Sequence, residues 1–407
     1  MATIIPFRGL RPNPELIERV ASPPYDVLDS RQAKQMAQNN PVSFLHIIKP
    51  EIDLEENSKQ IYAQGKRALD EFRRQYTLLQ ESSPCIYLYR QMMGNHIQTG
   101  FVGCVSVQEY KNNLIKKHEH TQPDKVEDRV KLMSACKAQT GPVFLSFRQT
   151  DELKELREKL LNKCEKVNDF TSYNKVRHQF YKVEAPFTKQ VQEAFSRLSA
   201  LYIADGHHRS EAAAAYCDRQ ADCGTGDKPY NYFLAVIFPE SDLNILAYNR
   251  VVKDLNGSSA GEFMTDIQKV FDIKPAGTDF CGPTQKRQFG MYLDQKSHLL
   301  TIKPEFILEN DPVKRLDVAI LQDHLLKPVL GIDEPRTNPR IQFVGGISGT
   351  KELESRVDSG ENQLAFSLYP TSMQEIMQVA DAGKVMPPKS TWFEPKLLSG
   401  MVTHLLE

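Results

Sequence analysis

Long apolar runs are missing from this 407-residue chain. The most apolar stretch, residues 232–238 (YFLAVIF), falls far short of the roughly 20 residues a membrane-crossing helix needs and reads as a buried strand. An excess of one charge is missing too: 51 Lys and Arg stand against 52 Asp and Glu. A dedicated nucleic-acid binder draws much of its affinity from neutralised phosphates and normally shows a basic surplus. With no surplus and no helix-turn-helix pattern, DNA binding is disfavoured. Residues 1–15 carry two arginines and no long apolar segment, so they do not read as a secretory signal. The seven cysteines are odd in number, scattered, and form no CxxC pair. That excludes a zinc knuckle by spacing and predicts reduced thiols, not disulfides, in a cytoplasmic protein. Internal repeats and low-complexity tracts are also lacking.

What is present is ordinary for a globular chain of two or three domains, with 40% hydrophobic and 25% charged residues. Strand and helix signals alternate, which predicts a mixed α/β fold. Residues 43–48 read as a short strand and 54–79 as an amphipathic helix. Residues 85–89 and 99–107 read as a hairpin across Gly94-Asn95. Helices are expected over 124–135, 151–163 and 209–220, with strands at 143–147, 201–204, 232–238 and 243–248. The Asn256-Gly257-Ser258-Ser259 cluster is the expected domain boundary. The resulting organisation is an N-terminal extension (1–83), a core (84–256) and a C-terminal α/β region (257–407).

Three clusters carry chemistry. In residues 201–213 (LYIADGHHRSEAA) a strand runs through Gly206 into a helix, and a helix start offers unpaired N–H groups to an anion. His207, His208 and Arg209 add donors, Arg209 being able to grip phosphate oxygens with two nitrogens. The same residues also fit a capped helix with a solvent-facing histidine pair. The second cluster is His118-Glu119-His120-Thr121, followed by Asp124, Lys125, Glu127, Asp128 and Arg129. It suits a general base or a magnesium ligand, or else a solvated loop opening a helix. The third, residues 384–396 (KVMPPKSTWFEPK), is held extended by prolines and presents Lys389, Ser390 and Thr391 to a charged ligand or covers an apolar face. A zinc or iron site shared by His118, His120, His207 and His208 is disfavoured, because adjacent histidines at a helix start point to different sides.

These blocks carry a resemblance. The DGHHR segment resembles the signature of free serine kinases of the ParB/sulfiredoxin-like superfamily. KKHEHT is similar to that family's KPHE-type segment, and residues 365–395 resemble its strand, Pro-Thr, helix and Pro-Lys-Ser/Thr-Thr pattern. Nearly the whole chain also resembles a large bacterial and archaeal family known only as domain of unknown function ten-fifteen. The shared segments are Pro-Phe-Arg-Gly-Leu-Arg, Pro-Pro-Tyr-Asp, HE…EDR, DGHHR and PPKST…PKLLSG.

The resemblance implies a ParB/sulfiredoxin-like nucleotide-binding core and a kinase that phosphorylates a small hydroxyl compound, foremost free L-serine. ATP or ADP is the implied donor and Mg2+ the implied metal. Glu119 is then the base toward the hydroxyl, and Asp205 holds magnesium or orients a histidine. Gly206, His207, His208 and Arg209 cradle phosphates, Lys389, Ser390 and Thr391 close the site, and His118 and Arg129 support it. The alternative is a ParB-like nucleotide-binding or nucleotide-hydrolysing switch without a small acceptor. Sulfiredoxin-like chemistry lacks its nucleophile, since His207 stands where the reactive cysteine would be.

Overall fold

The computed structural model describes residues 2–55, 58–277 and 279–407. The chain divides into two compact units. One runs to Leu243 and takes up Pro395–Glu407; the other is Asn244–Glu394.

The first unit is built on a mixed sheet of eight strands. In chain order these are β1 (Ile86–Met93), β2 (His96–Ser106), β3 (Ile115–Lys116), β4 (Val143–Phe147), β5 (Glu165–Thr171), β6 (Arg177–Val183), β7 (Leu201–Asp205) and β8 (Tyr232–Pro239). Their order across the sheet is β3-β7-β4-β8-β2-β1-β6-β5. The expected hairpin is present: Met93 pairs with His96 around Gly94-Asn95, and Gly94 adopts the positive φ such a turn favours. Alternation along β1 sends Ile86 and Leu88 into the main core, while Tyr87 and Tyr89 pack on Phe180.

Helices α1 (Ile61–Arg74), α2 (Pro123–Cys136), α3 (Asp151–Lys163), α4 (Ala185–Ser196) and α5 (His207–Asp218) complete this unit. Small side chains at Ser210 and Ala212–Ala214 are buried, so α5 sits close to the sheet. A second core joins Leu10, Val20, Phe44, Leu69 and Phe72 of the N-terminal segment to Leu132 and Cys136 of α2.

Two local expectations fail. Residues 43–48 hold a helical turn, Leu45–Ile48, not a strand. Leu45, Ile47 and Ile48 are all buried, so their run of apolar side chains shows no helical period to read. The helix expected over 54–79 is confined to α1. It ends at Arg74, and Tyr76 takes a left-handed conformation that turns the chain away. Residues 56 and 57 of that expectation lie outside the described residues.

The second unit holds an antiparallel sheet of β9 (Tyr248–Val252), β10 (Phe271–Gly277), β11 (Gln288–Leu293), β12 (Lys296–Ile302), β13 (Ile341–Gly345) and β14 (Leu364–Leu368). The sheet order is β10-β12-β11-β14-β9-β13. The Asn256–Ser259 cluster lies inside this unit, where Ser259 caps α6 (Ala260–Ile267) in a reciprocal box with Glu262. The units divide at Leu243/Asn244 instead, and the chain re-enters the first at Pro395.

The cysteine reading is corrected in part. Cys217 and Cys223 form a disulfide, while Cys85, Cys104, Cys136 and Cys164 are free and buried and Cys281 is free and exposed. α5 ends at Asp218, and the following turn returns Cys223 to within 5.2 Å, Cα to Cα, of Cys217. The two lie six residues apart in sequence, a spacing that is not a recognised pair pattern. No helix among the described residues is long and apolar enough to cross a membrane.

Candidate functional site

β3 and β7 run parallel, with Leu201 beside Ile115 and Tyr202 beside Lys116. Parallel strands end on the same side, so the segment after Lys116 (Lys117-His118-Glu119) and the turn after Asp205 emerge together. The carboxyl ends of strands are where α/β sheets commonly place ligands. A bulge between Ile203 and Asp205 in the pairing with β4 re-aims the end of β7. Gly206 then turns the chain at φ 98° into α5, and no side chain caps that helix start.

The two histidines of the turn hold the facing loop. His207 Nε2 accepts from the backbone N–H of His118 (3.4 Å), and His208 Nε2 accepts from that of Gln122 (3.1 Å). Both rings are therefore neutral, with the proton on Nδ1. Through Nε2 the two rings pin residues 118–122 against the helix start, and each keeps an Nδ1–H donor. Glu119 lies within the pinned stretch and is half-buried. His118 and His207 are buried edge to face, their rings 4.5 Å apart. Burial pushes the His118 imidazole down to about 4, despite the Asp205 carboxylate nearby. Burial, and then His118, likewise hold His207 well below its ordinary value.

Asp205 is ionised. Burial works to raise its pKa, but Lys396 and Arg209 more than offset that and hold the carboxyl well below the usual range. Lys396 Nζ lies 3.1 Å from Asp205 Oδ2. Lys396 stands in the same proline-rich block as Lys389 and is not among the residues expected at the site. Gln91 holds the Lys396 carbonyl, and Gln98 reaches the Pro395 carbonyl. Lys389, Ser390 and Thr391 belong to the second unit. There Lys389 O accepts from Arg250, Ser390 is buried with its hydroxyl on Pro387 O, and its carbonyl accepts from Thr371.

Arg209 leads into a narrow cleft with an accessible volume of about 40 Å³. Its Nη1 donates to Pro142 O, while its Nε is buried without a hydrogen-bond partner. Arg129, Tyr25, Thr140, Gly141 and Ser399 line the same cleft, with Leu132, Met133 and Phe233 as its apolar wall. The Arg129 guanidinium stacks 3.9 Å from the Tyr25 ring centre and is held by Asp128 and Ile48 O. Burial and then Asp26 push the Tyr25 hydroxyl up to about 12, so it stays protonated. Ser22 and Ser399 exchange backbone hydrogen bonds, which brings the Pro-Pro-Tyr-Asp turn to the PKLLSG segment. A Cβ on Gly141 would lie 3.7 Å from both Arg209 Cδ and Ser399 Oγ, so three separate segments close together there.

Of the expected residues, His118, Glu119, Asp205, Gly206, His207, His208, Arg209 and Arg129 all belong to the first unit. Tyr25, Gly141, Ser399 and Lys396 were missed. Tyr25 belongs to Pro-Pro-Tyr-Asp, and Lys396 and Ser399 to PKLLSG, which was their only signal; Gly141 lies in neither segment. Among the described residues no group of three or more His, Cys, Asp or Glu could hold a metal ion.

Two consequences are measurable. Gly206→Ala places an L side chain at φ 98°, with its Cβ 3.2 Å from Arg209 Cζ. It is expected to lower the unfolding free energy by roughly 1–2 kcal/mol in urea titrations; no loss would show that the turn tolerates a side chain. The buried histidines predict acid sensitivity. The folded-state pKa of His118 is about 4 and that of His404 is about 4, against an ordinary 6.5. As pH falls from 6.5 the unfolded chain takes up protons that the native one refuses, so stability falls across 6.5–4. For His118 alone the full shift corresponds to about 3 kcal/mol. Asp317, raised to about 6 by burial, and His46, raised by its bond to Asp53, work the other way in this range. The part due to His118 is therefore read as the difference between wild type and His118→Gln. The fall in urea midpoint between pH 7 and 5 should be smaller in the variant, and a fall of equal size contradicts burial of His118 in neutral form.

No curated protein matches the chain significantly. Among solved structures, a free serine kinase variant in complex with AMP is similar at 12% identity, covering 72% of this chain and 87% of that one, with a TM-score of 0.37. A conserved hypothetical protein from Pyrococcus furiosus is similar at 13% identity, with 73% and 92% covered and a TM-score of 0.36. C-terminally truncated SbnI from Staphylococcus aureus is similar at 12% identity, with 73% and 85% covered and a TM-score of 0.40. A family model matches residues 4–319, a range that takes in Pro-Pro-Tyr-Asp, HE…EDR and DGHHR. The chain therefore belongs to the family described as protein of unknown function, DUF1015.

Proposed function

We propose that this chain is a nucleotide-dependent phosphotransferase of the ParB/sulfiredoxin-like class, acting on the hydroxyl of a small compound, with L-serine the leading acceptor. The observation that carries the reading is the Arg209 guanidinium. It lies at an uncapped helix start with a buried, unpartnered Nε, and its cleft is shared with a second guanidinium, Arg129. A phosphate group satisfies such donors, and the helix dipole adds to the attraction. Leu132, Met133 and Phe233 form an apolar wall beside the two guanidinium groups. The resemblance of the HE, DGHHR and PPKST blocks to free serine kinases supplies the reaction class.

Phosphoryl transfer asks mainly for alignment and charge stabilisation. On this reading Glu119 accepts the proton of the acceptor hydroxyl as its oxygen forms the new P–O bond. The bond to the leaving nucleotide breaks, and Arg209 and Arg129 hold its phosphates. His207 and His208 act by fixing the loop that carries Glu119. Lys389, Ser390 and Thr391 remain proposed closing residues. Magnesium, bound chiefly through phosphate oxygens and water, would neutralise developing charge; Asp205 can offer it an oxygen, though Lys396 already holds Oδ2. The setting is the cytoplasm, where the nucleotide is available.

The test incubates the full chain with ATP or ADP, Mg2+ and L-serine, and follows O-phosphoserine by mass spectrometry. Product that depends on serine supports the reading. Accumulation of inorganic phosphate without product supports the nucleotide switch instead.

A further inference from the structure

Residues 222–228 (DCGTGDK), which the phosphotransferase reading leaves unused, follow the C-terminal end of α5 and fold back onto it. Arg219 and Gln220 donate their N–H groups to the Tyr216 and Cys217 carbonyls, and Cys223 donates its own to Gln220 O. The buried Asn231 then gathers the loop. Its Oδ1 accepts from Gly224 N–H (2.8 Å), and its Nδ2 donates to the Thr225 and Gly226 carbonyls (3.1 and 3.0 Å). The Tyr230 hydroxyl adds a bond to Asp222. None of these bonds depends on the Cys217–Cys223 bridge, so the loop keeps its shape when the bridge opens.

The two sulfurs have different surroundings. Cys217 is fully buried in the main core, and Asn231 Oδ1 lies 3.4 Å from its Sγ, an acceptor for the S–H of the reduced form. Cys223 is half-buried and lines a recess with an accessible volume of about 90 Å³. One water needs roughly 10–15 Å³ on that measure, so a small hydroperoxide fits. Lys111 Nζ lies 3.7 Å from Cys223 Sγ. Lys111 is also paired with Asp218, whose Oδ1 lies 3.8 Å from the same sulfur. An ammonium so close favours a thiolate and can hand a proton to a departing oxygen, while Asp218 holds it in place and tempers its charge. An accessible sulfur beside a cation, with a second cysteine in reach, is the arrangement of a redox-responsive thiol pair.

We propose that Cys217 and Cys223 form a reversible redox pair that hydroperoxides oxidise, with Cys223 attacking and Cys217 resolving. The Cys223 thiolate takes one oxygen of the peroxide as the O–O bond breaks, leaving a sulfenic acid. The departing oxygen receives a proton from Lys111, which recovers it from solvent. The Cys217 sulfur then displaces the sulfenic hydroxyl: the S–S bond forms, the S–O bond breaks, and the hydroxide leaves as water with the Cys217 proton. Two thiols have lost two electrons, and the peroxide has become one water and one further water or alcohol. Two equivalents of a small thiol reverse the change and become a disulfide themselves. The pair stands on its own geometry and does not depend on the phosphotransferase reading.

The test reduces the full-length protein with dithiothreitol, removes the reductant and adds stoichiometric hydrogen peroxide. Timed samples are quenched with N-ethylmaleimide for peptide mass spectrometry. Trypsin cuts after Arg219, between the two cysteines, so only the bridge joins their peptides. The bridge is expected to form roughly tenfold or more faster than the exposed free thiol Cys281 is oxidised. Lys111→Gln should slow the bridge about tenfold and leave Cys281 unchanged. In Cys217→Ser, dimedone is expected to label Cys223 as a trapped sulfenic acid. Bridge formation no faster than Cys281 oxidation overturns the proposal, as does a bridge that dithiothreitol never opens in the folded protein. So does Lys111→Gln at the wild-type rate, or a folded Cys217→Ser that takes up no dimedone at Cys223. The wild-type rates decide the matter even where Cys217→Ser does not fold.

Discussion

Arg209→Leu is expected to lower phosphoryl transfer by about two to three powers of ten and to weaken nucleotide binding, with the fold retained. Leucine fills much of the space of the arginine stem and preserves its packing beside Gly141 and Gly206. The change removes the donor to Pro142 O and the buried Nε that has no partner in the protein. A structural role alone would appear as lost stability without a matching loss of affinity. Calorimetric titration with ADP and Mg2+, beside a urea denaturation curve, separates the two. Near-normal affinity in a folded variant would remove Arg209 from the site.

Glu119→Gln should abolish most turnover, by about 10²- to 10⁴-fold, while nucleotide affinity stays within a few-fold of wild type. The amide keeps the size and hydrogen-bonding reach of the carboxylate but cannot take up the acceptor's proton. The residue sits on the loop pinned by His207 and His208. Serine-dependent initial rates and nucleotide affinity, measured on the same preparation, give the two readouts. Unchanged turnover would show that another group activates the hydroxyl.

The DGHHR turn was legible because strand, glycine and helix start are contiguous, and only local geometry is needed to place them. Its meeting with the HE segment was not. It depends on parallel pairing through β3, which is two residues long and carries no periodic signal. Arg129 is expected only as a supporting residue, and nothing in the sequence shows that its guanidinium stacks on Tyr25 of the N-terminal segment. A contact so distant in the chain leaves no trace in spacing. Lys396 drew no notice for a related reason: the chain passes from one compact unit to the other at Pro395, and a proline-rich stretch looks alike on both sides of that passage. The alternation of strands and helices was read correctly wherever amphipathic periods were clean, as in α2 and α3. It misled at residues 43–48, where burial on all sides erases the period.

The phosphate-binding role of the Arg129–Arg209 cleft is tested most directly by phosphorus NMR of ADP and Mg2+ titrated with the full-length protein. Wild type is predicted to broaden and shift the nucleotide resonances saturably, and Arg209→Leu to leave them at their free positions. Resonances unmoved by the wild-type protein, or moved equally by the variant, would contradict the account.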